Sequence, residues 1–175
     1  MMEIDTYLKG IIRDIPDFPK KGIIFKDITT ILLDPTAFRK VVDAFVSRYK
    51  EMRIDAIACV ESRGFVFGAP LAYLLGTKYV LARKKGKLPY KTVEVSYDLE
   101  YGSETLEMHE DAIRKGERVL VMDDLLATGG TATATCKLCE KLGGNVVEAA
   151  FVIELEYLGG RKRLPCNAYS LVKYS

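Results

Sequence analysis

The sequence predicts an α/β fold, built on an open and mostly parallel sheet whose strands run through loops into helices. Two stretches carry that prediction. Residues 119 to 132, VLVMDDLLATGGTA, pass from four apolar residues through two aspartates and a Gly-Gly turn into a helical pattern that continues to Leu142. Residues 55 to 60, DAIACV, end in Glu61, Ser62, Arg63 and Gly64 before a second helical pattern runs to Leu75. Both units place polar and small residues at the carboxyl end of a strand, where open α/β sheets bind their ligands.

A chain of 175 residues is sized for one domain, taken here as 1–175. Apolar residues make up 49% and charged residues 29%, a globular balance, and the net charge of +2 leaves no nucleic-acid footprint. No apolar run is long enough to span a bilayer, and MMEIDTYLKG lacks the basic-then-apolar order of a secretory leader, so a cytoplasmic location is expected with no membrane partner. Cys136 and Cys139 form a C-x-x-C, but both fall on one face of the helix after the glycine turn. With His109 as the single histidine, they read as packing thiols rather than as metal ligands.

Taken in order, residues 3 to 14 carry Ile4, Tyr7, Leu8, Ile11 and Ile12 at helical spacing. Pro16 and Pro19 break that pattern, and PDFPKKGIIFKDIT is expected to be largely irregular. Its Ile23, Ile24 and Phe25 either cover a sheet edge or fold over a ligand, with Phe25 stacking on an aromatic ring. Asp34 and Pro35 form a helix start, and Phe38, Val41, Val42, Phe45, Val46 and Tyr49 recur as its core face. After the DAIACV strand and its helix, Gly76 provides a stop and Thr77 to Arg83 a further strand. RKKGKLP then concentrates cations around Gly86. TVEVSYDLEYGSETLEMH alternates like a hairpin turning at Gly102, and His109 reads as structural. NVVEAAFVIEL, residues 145 to 155, is a buried strand, LGGRKR a basic turn of open role, and Tyr169 to Tyr174 a last strand.

The glycine turn has its own chemistry. Gly129 and Gly130 allow positive φ and a close backbone approach, and the helix start offers unpaired N–H groups to an anion. Thr128 and Thr131 add hydroxyls. Asp123 and Asp124 repel an anion but suit a vicinal diol, with Mg²⁺ able to bridge nearby. Phosphate on one side and a diol on the other describe a ribose 5-phosphate. The simpler alternative is an ordinary turn capped by Asp124 or Thr128. Neither a Walker A nor a Gly-x-Gly-x-x-Gly string is present.

At DDLLATGGT the chain resembles the type I phosphoribosyltransferases, and its wording is similar to their adenine branch. GIIFKDIT, ESRGF, RKKGKLP and YDLEYG follow the same family order. The resemblance implies a sheet with helices on both faces, an N-terminal helix and base-binding hood over 1–34, and a flexible loop and hairpin lid over 84–104. It implies transfer of 5-phosphoribosyl from phosphoribosyl diphosphate to adenine, with Mg²⁺ carried mainly by the diphosphate substrate and no direct protein ligand for the metal assigned.

By position, Ile24, Phe25 and Lys26 belong to adenine, and the family usually has Arg where this chain has Lys26. Arg63, Lys84 and Lys87 belong to the diphosphate. Asp123, Asp124, Ala127, Thr128, Gly129, Gly130 and Thr131 belong to the ribose 5-phosphate, and Glu100 is the catalytic carboxylate. From the residues alone, Arg63 reads equally as a surface arginine paired with Glu61, and the basic loop as solvated surface. A homodimer is expected on the family pattern. The alternatives are a hypoxanthine, guanine or xanthine enzyme and a non-catalytic regulator binding the same ribose phosphate.

Overall fold

The structure, a computed structural model, describes residues 3–99 and 102–175. Fourteen helices and strands follow in order among them: α1 Ile4–Lys9, β1 Arg13–Pro16, β2 Ile24–Asp27, α2 Thr29–Leu33, α3 Pro35–Tyr49, β3 Ala56–Val60, α4 Gly64–Leu75, β4 Lys78–Lys84, β5 Thr92–Leu99, β6 Gly102–His109, β7 Arg118–Leu126, α5 Gly130–Lys141, β8 Asn145–Leu155 and β9 Ala168–Tyr174. The main sheet has seven strands in the order β5-β6-β4-β3-β7-β8-β9. β4, β3, β7, β8 and β9 pair in parallel, while β5 and β6 add an antiparallel edge through β4.

Alternate residues of the central strands feed two separate cores, as a period of two requires. Ile57, Cys59, Leu120, Met122, Ala150 and Val152 pack on the side of α3 and α4, with Val41, Phe45, Phe67 and Leu71. Ala56, Ala58, Val119, Val121, Ala149 and Phe151 face α5 instead, with Ala132, Cys136, Leu138 and Cys139. Helices thus cover both faces. α3 begins as its sequence dictates, with the Asp34 carboxylate accepting from the N–H groups of Thr36 and Ala37. Gly76 closes α4 at φ 65°, a left-handed cap.

Three expectations need correction. The first helix ends at Lys9 rather than reaching residue 14: Gly10 is its C-cap, and Arg13–Pro16 pair with β2 as a strand instead. Within PDFPKKGIIFKDIT residues 17–23 are irregular as expected, but Ile24–Asp27 form β2, which pairs antiparallel with β1 and matches Ile15 with Phe25 and Asp14 with Lys26. The acidic pair does not follow β7 but lies within it, and the strand continues to Leu126 against β8. On its other side β7 loses its neighbour at Met122, where β3 stops. Asp123 and Asp124 therefore sit where the sheet opens.

Candidate active site

β3 and β7 end side by side, and their loops meet. Gly64 opens α4 against β7 so closely that a Cβ there would lie 2.8 Å from the Met122 carbonyl oxygen and 3.1 Å from Asp123 Oδ1. Only glycine fits. Arg63, one residue earlier, is thereby carried to the acidic pair, and its Nε lies 2.7 Å from Asp124 Oδ2. Its partner is not Glu61, which is held bidentately by Arg83 Nε and Nη2 at 3.0 and 3.1 Å. The pairing of Arg63 with Glu61 is corrected accordingly. The Arg83 hydrogen bonds, aided by the Lys84 N–H, hold the Glu61 carboxyl below its usual range against the cost of burial.

The two aspartates differ. Asp124 is buried and faces Arg63, whereas Asp123 Oδ1 accepts the Asp124 N–H at 2.8 Å. Burial first, and the neighbouring Asp124 charge second, push the Asp123 carboxyl well above its ordinary range.

Asp123 also lines a cavity of about 80 Å³ formed by Leu125 to Ala132. Gly129 stands at the head of α5 with φ 81°, and no side chain caps the helix among the described residues. The proposed caps, Asp124 and Thr128, are not used. The cavity consequently meets free N–H groups and the positive end of the helix dipole, the chemistry an anion requires.

The LGGRKR turn, whose role was open, packs directly behind this loop. A Cβ on Gly129 would lie 2.6 Å from the Gly160 carbonyl oxygen, and one on Gly160 would lie 2.1 Å from the Ala127 carbonyl oxygen. Arg161 anchors the turn through Glu154, donating Nε to Oε1 at 2.8 Å, and also donates to the Ala168 carbonyl at 2.6 Å. Arg163 contributes as well, its carbonyl accepting from Thr133 Oγ1 at 3.2 Å. The contacts of Gly160 with Ala127 and Gly129, and of Arg163 with Thr133, join residues about thirty positions apart and left no local trace in the sequence.

The N-terminal pair of strands leans over Arg63. The guanidinium carbon sits 5.4 Å from the Phe25 ring centre, and Phe18 meets that ring edge-on at 5.2 Å. Ile24 is exposed. Lys26 turns its ammonium to Asp14 at 2.7 Å and to the Tyr174 ring at 4.0 Å, so its charge is spent within the hood. Asp27 accepts from the Thr29 N–H and hydroxyl, which hold its carboxyl below the usual range.

On the far side, Lys84 ends β4 and Lys87 is exposed on the following turn. Buried Glu107 accepts the N–H groups of Lys87 and Leu88, both at 2.8 Å, and so fixes the base of the basic loop. Tyr97 was not singled out by sequence. Its hydroxyl accepts from Thr131 Oγ1 at 3.2 Å and donates to Glu104 Oε2 at 2.8 Å. His109 Nε2 is buried with no hydrogen-bond partner among the described residues, with the Tyr90 ring beside it. Glu100 lies outside the described residues. Among the described residues no three His, Cys, Asp or Glu side chains cluster to hold a metal ion, and no helix is long and apolar enough to cross a membrane.

The structure thus brings Arg63, Asp123, Asp124 and the Ala127–Thr131 turn together, with the hood on one side and Lys84 and Tyr97 on the other. Comparison with known proteins identifies the family. The phosphoribosyl transferase domain family matches residues 28–171. An adenine phosphoribosyltransferase of Geotalea daltonii is 58% identical over 168 residues, covering 95% of this chain and 98% of that protein. The crystal structure of the adenine phosphoribosyltransferase of Thermoanaerobacter pseudethanolicus superposes with a TM-score of 0.93 at 50% identity, covering 97% of this chain and 99% of the other. The Saccharomyces cerevisiae enzyme, solved with an imino-altritol bisphosphate and adenine, gives a TM-score of 0.92 at 41% identity, covering 96% and 98%.

Proposed function

This chain belongs to the phosphoribosyltransferase family, within it to the adenine phosphoribosyltransferases, and we propose that it transfers a 5-phosphoribosyl group from phosphoribosyl diphosphate to adenine, giving AMP and diphosphate. One observation carries the reading: an uncapped helix start and Asp123 share one cavity, and the adjoining buried Asp124 is bound to Arg63. A ribose carrying phosphate at one end and a leaving anion at the other matches that order of charges.

Breaking the bond to diphosphate leaves positive charge on the sugar ring and negative charge on the departing group. Arg63, Lys84 and Lys87 meet the negative charge, and the backbone of the Ala127–Thr131 turn holds the 5′-phosphate. Asp123 and Asp124 hold the ribose hydroxyls. Phe25 and Ile24 cover the base, and Phe25 presents an aromatic face to it. Glu100 is the carboxylate that assists the base nitrogen or the cationic sugar. Loop and hairpin residues 84–104 exclude water, which would otherwise hydrolyse the substrate.

The chemistry a bound Mg²⁺ supplies is neutralisation of the diphosphate. The donor set suits an ion held mainly by substrate oxygens: the Asp123–Asp124 pair is nearby, Asp124 is already bound to Arg63, and no three metal-ligating side chains cluster among the described residues. A homodimer is supported by the exposed Leu33, Tyr73 and Leu74, 77%, 86% and 53% accessible. The location proposed is the cytoplasm.

Diphosphate release that requires both adenine and Mg²⁺, and that falls at least a hundredfold in Glu100→Gln while substrate binding persists, supports this reading. Release without adenine, or full activity in that variant, contradicts it.

A further inference from the structure

We propose that Glu104 is an internal counter-ion that holds Lys84 back from the leaving group, with Tyr97 as the residue that positions it. Lys84 Nζ makes an ion pair with Glu104 Oε1, across the join between β4 and the β5–β6 hairpin. The other carboxylate oxygen, Oε2, is taken by the Tyr97 hydroxyl at 2.8 Å. That hydroxyl in turn receives Thr131 Oγ1 at 3.2 Å. Four side chains therefore form one line from the diphosphate lysine to the 5′-phosphate turn. Each end of the line is a group that the reaction needs for an anion.

The pair is not a fixture of the fold. Lys84 is 57% exposed and Glu104 26% exposed, so neither charge is trapped if the contact opens. Glu104 has a second partner, and its carboxyl is held below the usual range by Lys84 first, then by Tyr97, against the cost of burial. A diphosphate arriving at Lys84 competes with a carboxylate already in place, and Tyr97 keeps that carboxylate aimed. Thr131 likewise spends its only hydroxyl proton on Tyr97 until a phosphate takes it. Arg63 follows the same pattern, being paired with Asp124. The site thus answers its own cations with carboxylates, and substrate binding exchanges one anion for another. Part of the diphosphate affinity is given up, which favours release of the product.

This inference rests on Lys84 as a diphosphate contact, and the experiment separates the two. Dissociation constants for Mg²⁺-diphosphate are measured by calorimetry on the wild type, Lys84→Ala, Glu104→Gln and Tyr97→Phe, with melting temperatures as a check of folding. Exposed ion pairs of this kind shift equilibria by roughly two- to fivefold. Lys84→Ala is expected to weaken binding. Glu104→Gln keeps the shape and the Tyr97 contact but removes the charge, and is expected to tighten binding about two- to fivefold, with KM for phosphoribosyl diphosphate falling in parallel. Tyr97→Phe should tighten it by less. A gain in affinity is a readout that a merely structural role would not give. If Lys84→Ala weakens binding while Glu104→Gln leaves it unchanged or weaker, the counter-ion role is overturned and Lys84 keeps its assignment. If Lys84→Ala binds like the wild type, that assignment fails and the counter-ion role with it.

Discussion

Alanine at position 160 would place a methyl carbon 2.1 Å from the Ala127 carbonyl oxygen and 2.9 Å from the Gly129 nitrogen. Ordinary contact needs about 3.4 Å, so one backbone must retreat by about 1.3 Å. The turn at Gly160 is tied down by Arg161, which donates to both Glu154 and the Ala168 carbonyl. The proposed phosphate turn at Ala127–Gly129 is held among the described residues by a single long side-chain contact, Arg163 Nη1 to the Thr128 carbonyl at 3.4 Å, and its open side lines the cavity. The displacement should therefore fall on the phosphate turn. Misplacement of about 1 Å in a binding loop costs up to ~100-fold in rate, and overpacking costs about 1 to 3 kcal/mol in stability. Gly160→Ala is accordingly expected to lose about 10- to 100-fold in kcat/KM for phosphoribosyl diphosphate at saturating adenine, with a melting temperature lower by about 3 to 10 °C.

Gly159→Ala is the control, because Gly159 has φ 67° with nothing within 4 Å of a built Cβ. It should cost about 1 to 2 kcal/mol through backbone strain while leaving kcat/KM within about twofold. Steady-state kinetics on both variants, each confirmed folded by circular dichroism, decide the matter. A Gly160→Ala enzyme with wild-type kcat/KM would refute the reasoning, since the turn would then not support the phosphate site.

Other consequences follow from the same geometry. Gly68→Ala would set a carbon 2.0 Å from Cys59 Sγ and should destabilise by about 1 to 3 kcal/mol, whereas the double variant Gly68→Ala with Cys59→Ala should recover most of that loss in urea unfolding. Arg161→Ala removes the fork from Glu154, which then keeps the Ser170 hydroxyl as its hydrogen-bond partner among the described residues, and should cost about 2 to 3 kcal/mol by the same measurement. The raised Asp123 carboxyl means that the folded state binds a proton more tightly than the unfolded chain. That contribution is fully present below the ordinary aspartate range of about 3.9 and is lost as pH rises from there through the raised value. Asp123→Asn should thus gain stability relative to the wild type as pH increases, and equal pH dependence in both proteins would contradict the assignment.

How much of this was written locally in the chain differs from element to element. Asp34 with Pro35, Gly76 and the continuous apolar run of β8 act within a few residues, and their elements appear where the sequence placed them. The DDLLATGGT turn is likewise local, since its strand, glycines and helix are contiguous. β1 escaped notice because four residues ending in a proline carry little periodic signal, and only pairing with β2 makes them a strand. The extension of β7 through the acidic pair is set by β8 on one side, information that Asp123 itself does not contain. Tyr97 and Glu104 look like ordinary members of an alternating hairpin until the sheet brings them to Thr131 and Lys84. Gly160 reads as one more turn glycine. What it supports lies at Ala127, far away in sequence. Residues whose roles depend on a neighbour in the chain were legible, and those whose partners come from another strand were not.

The most direct measurement supplies phosphoribosyl diphosphate and Mg²⁺ with adenine, hypoxanthine, guanine and xanthine in parallel and follows nucleotide formation. The account predicts AMP from adenine, with the oxopurines turned over at least a hundredfold more slowly. Comparable turnover of any oxopurine, or no nucleotide from adenine, would contradict it.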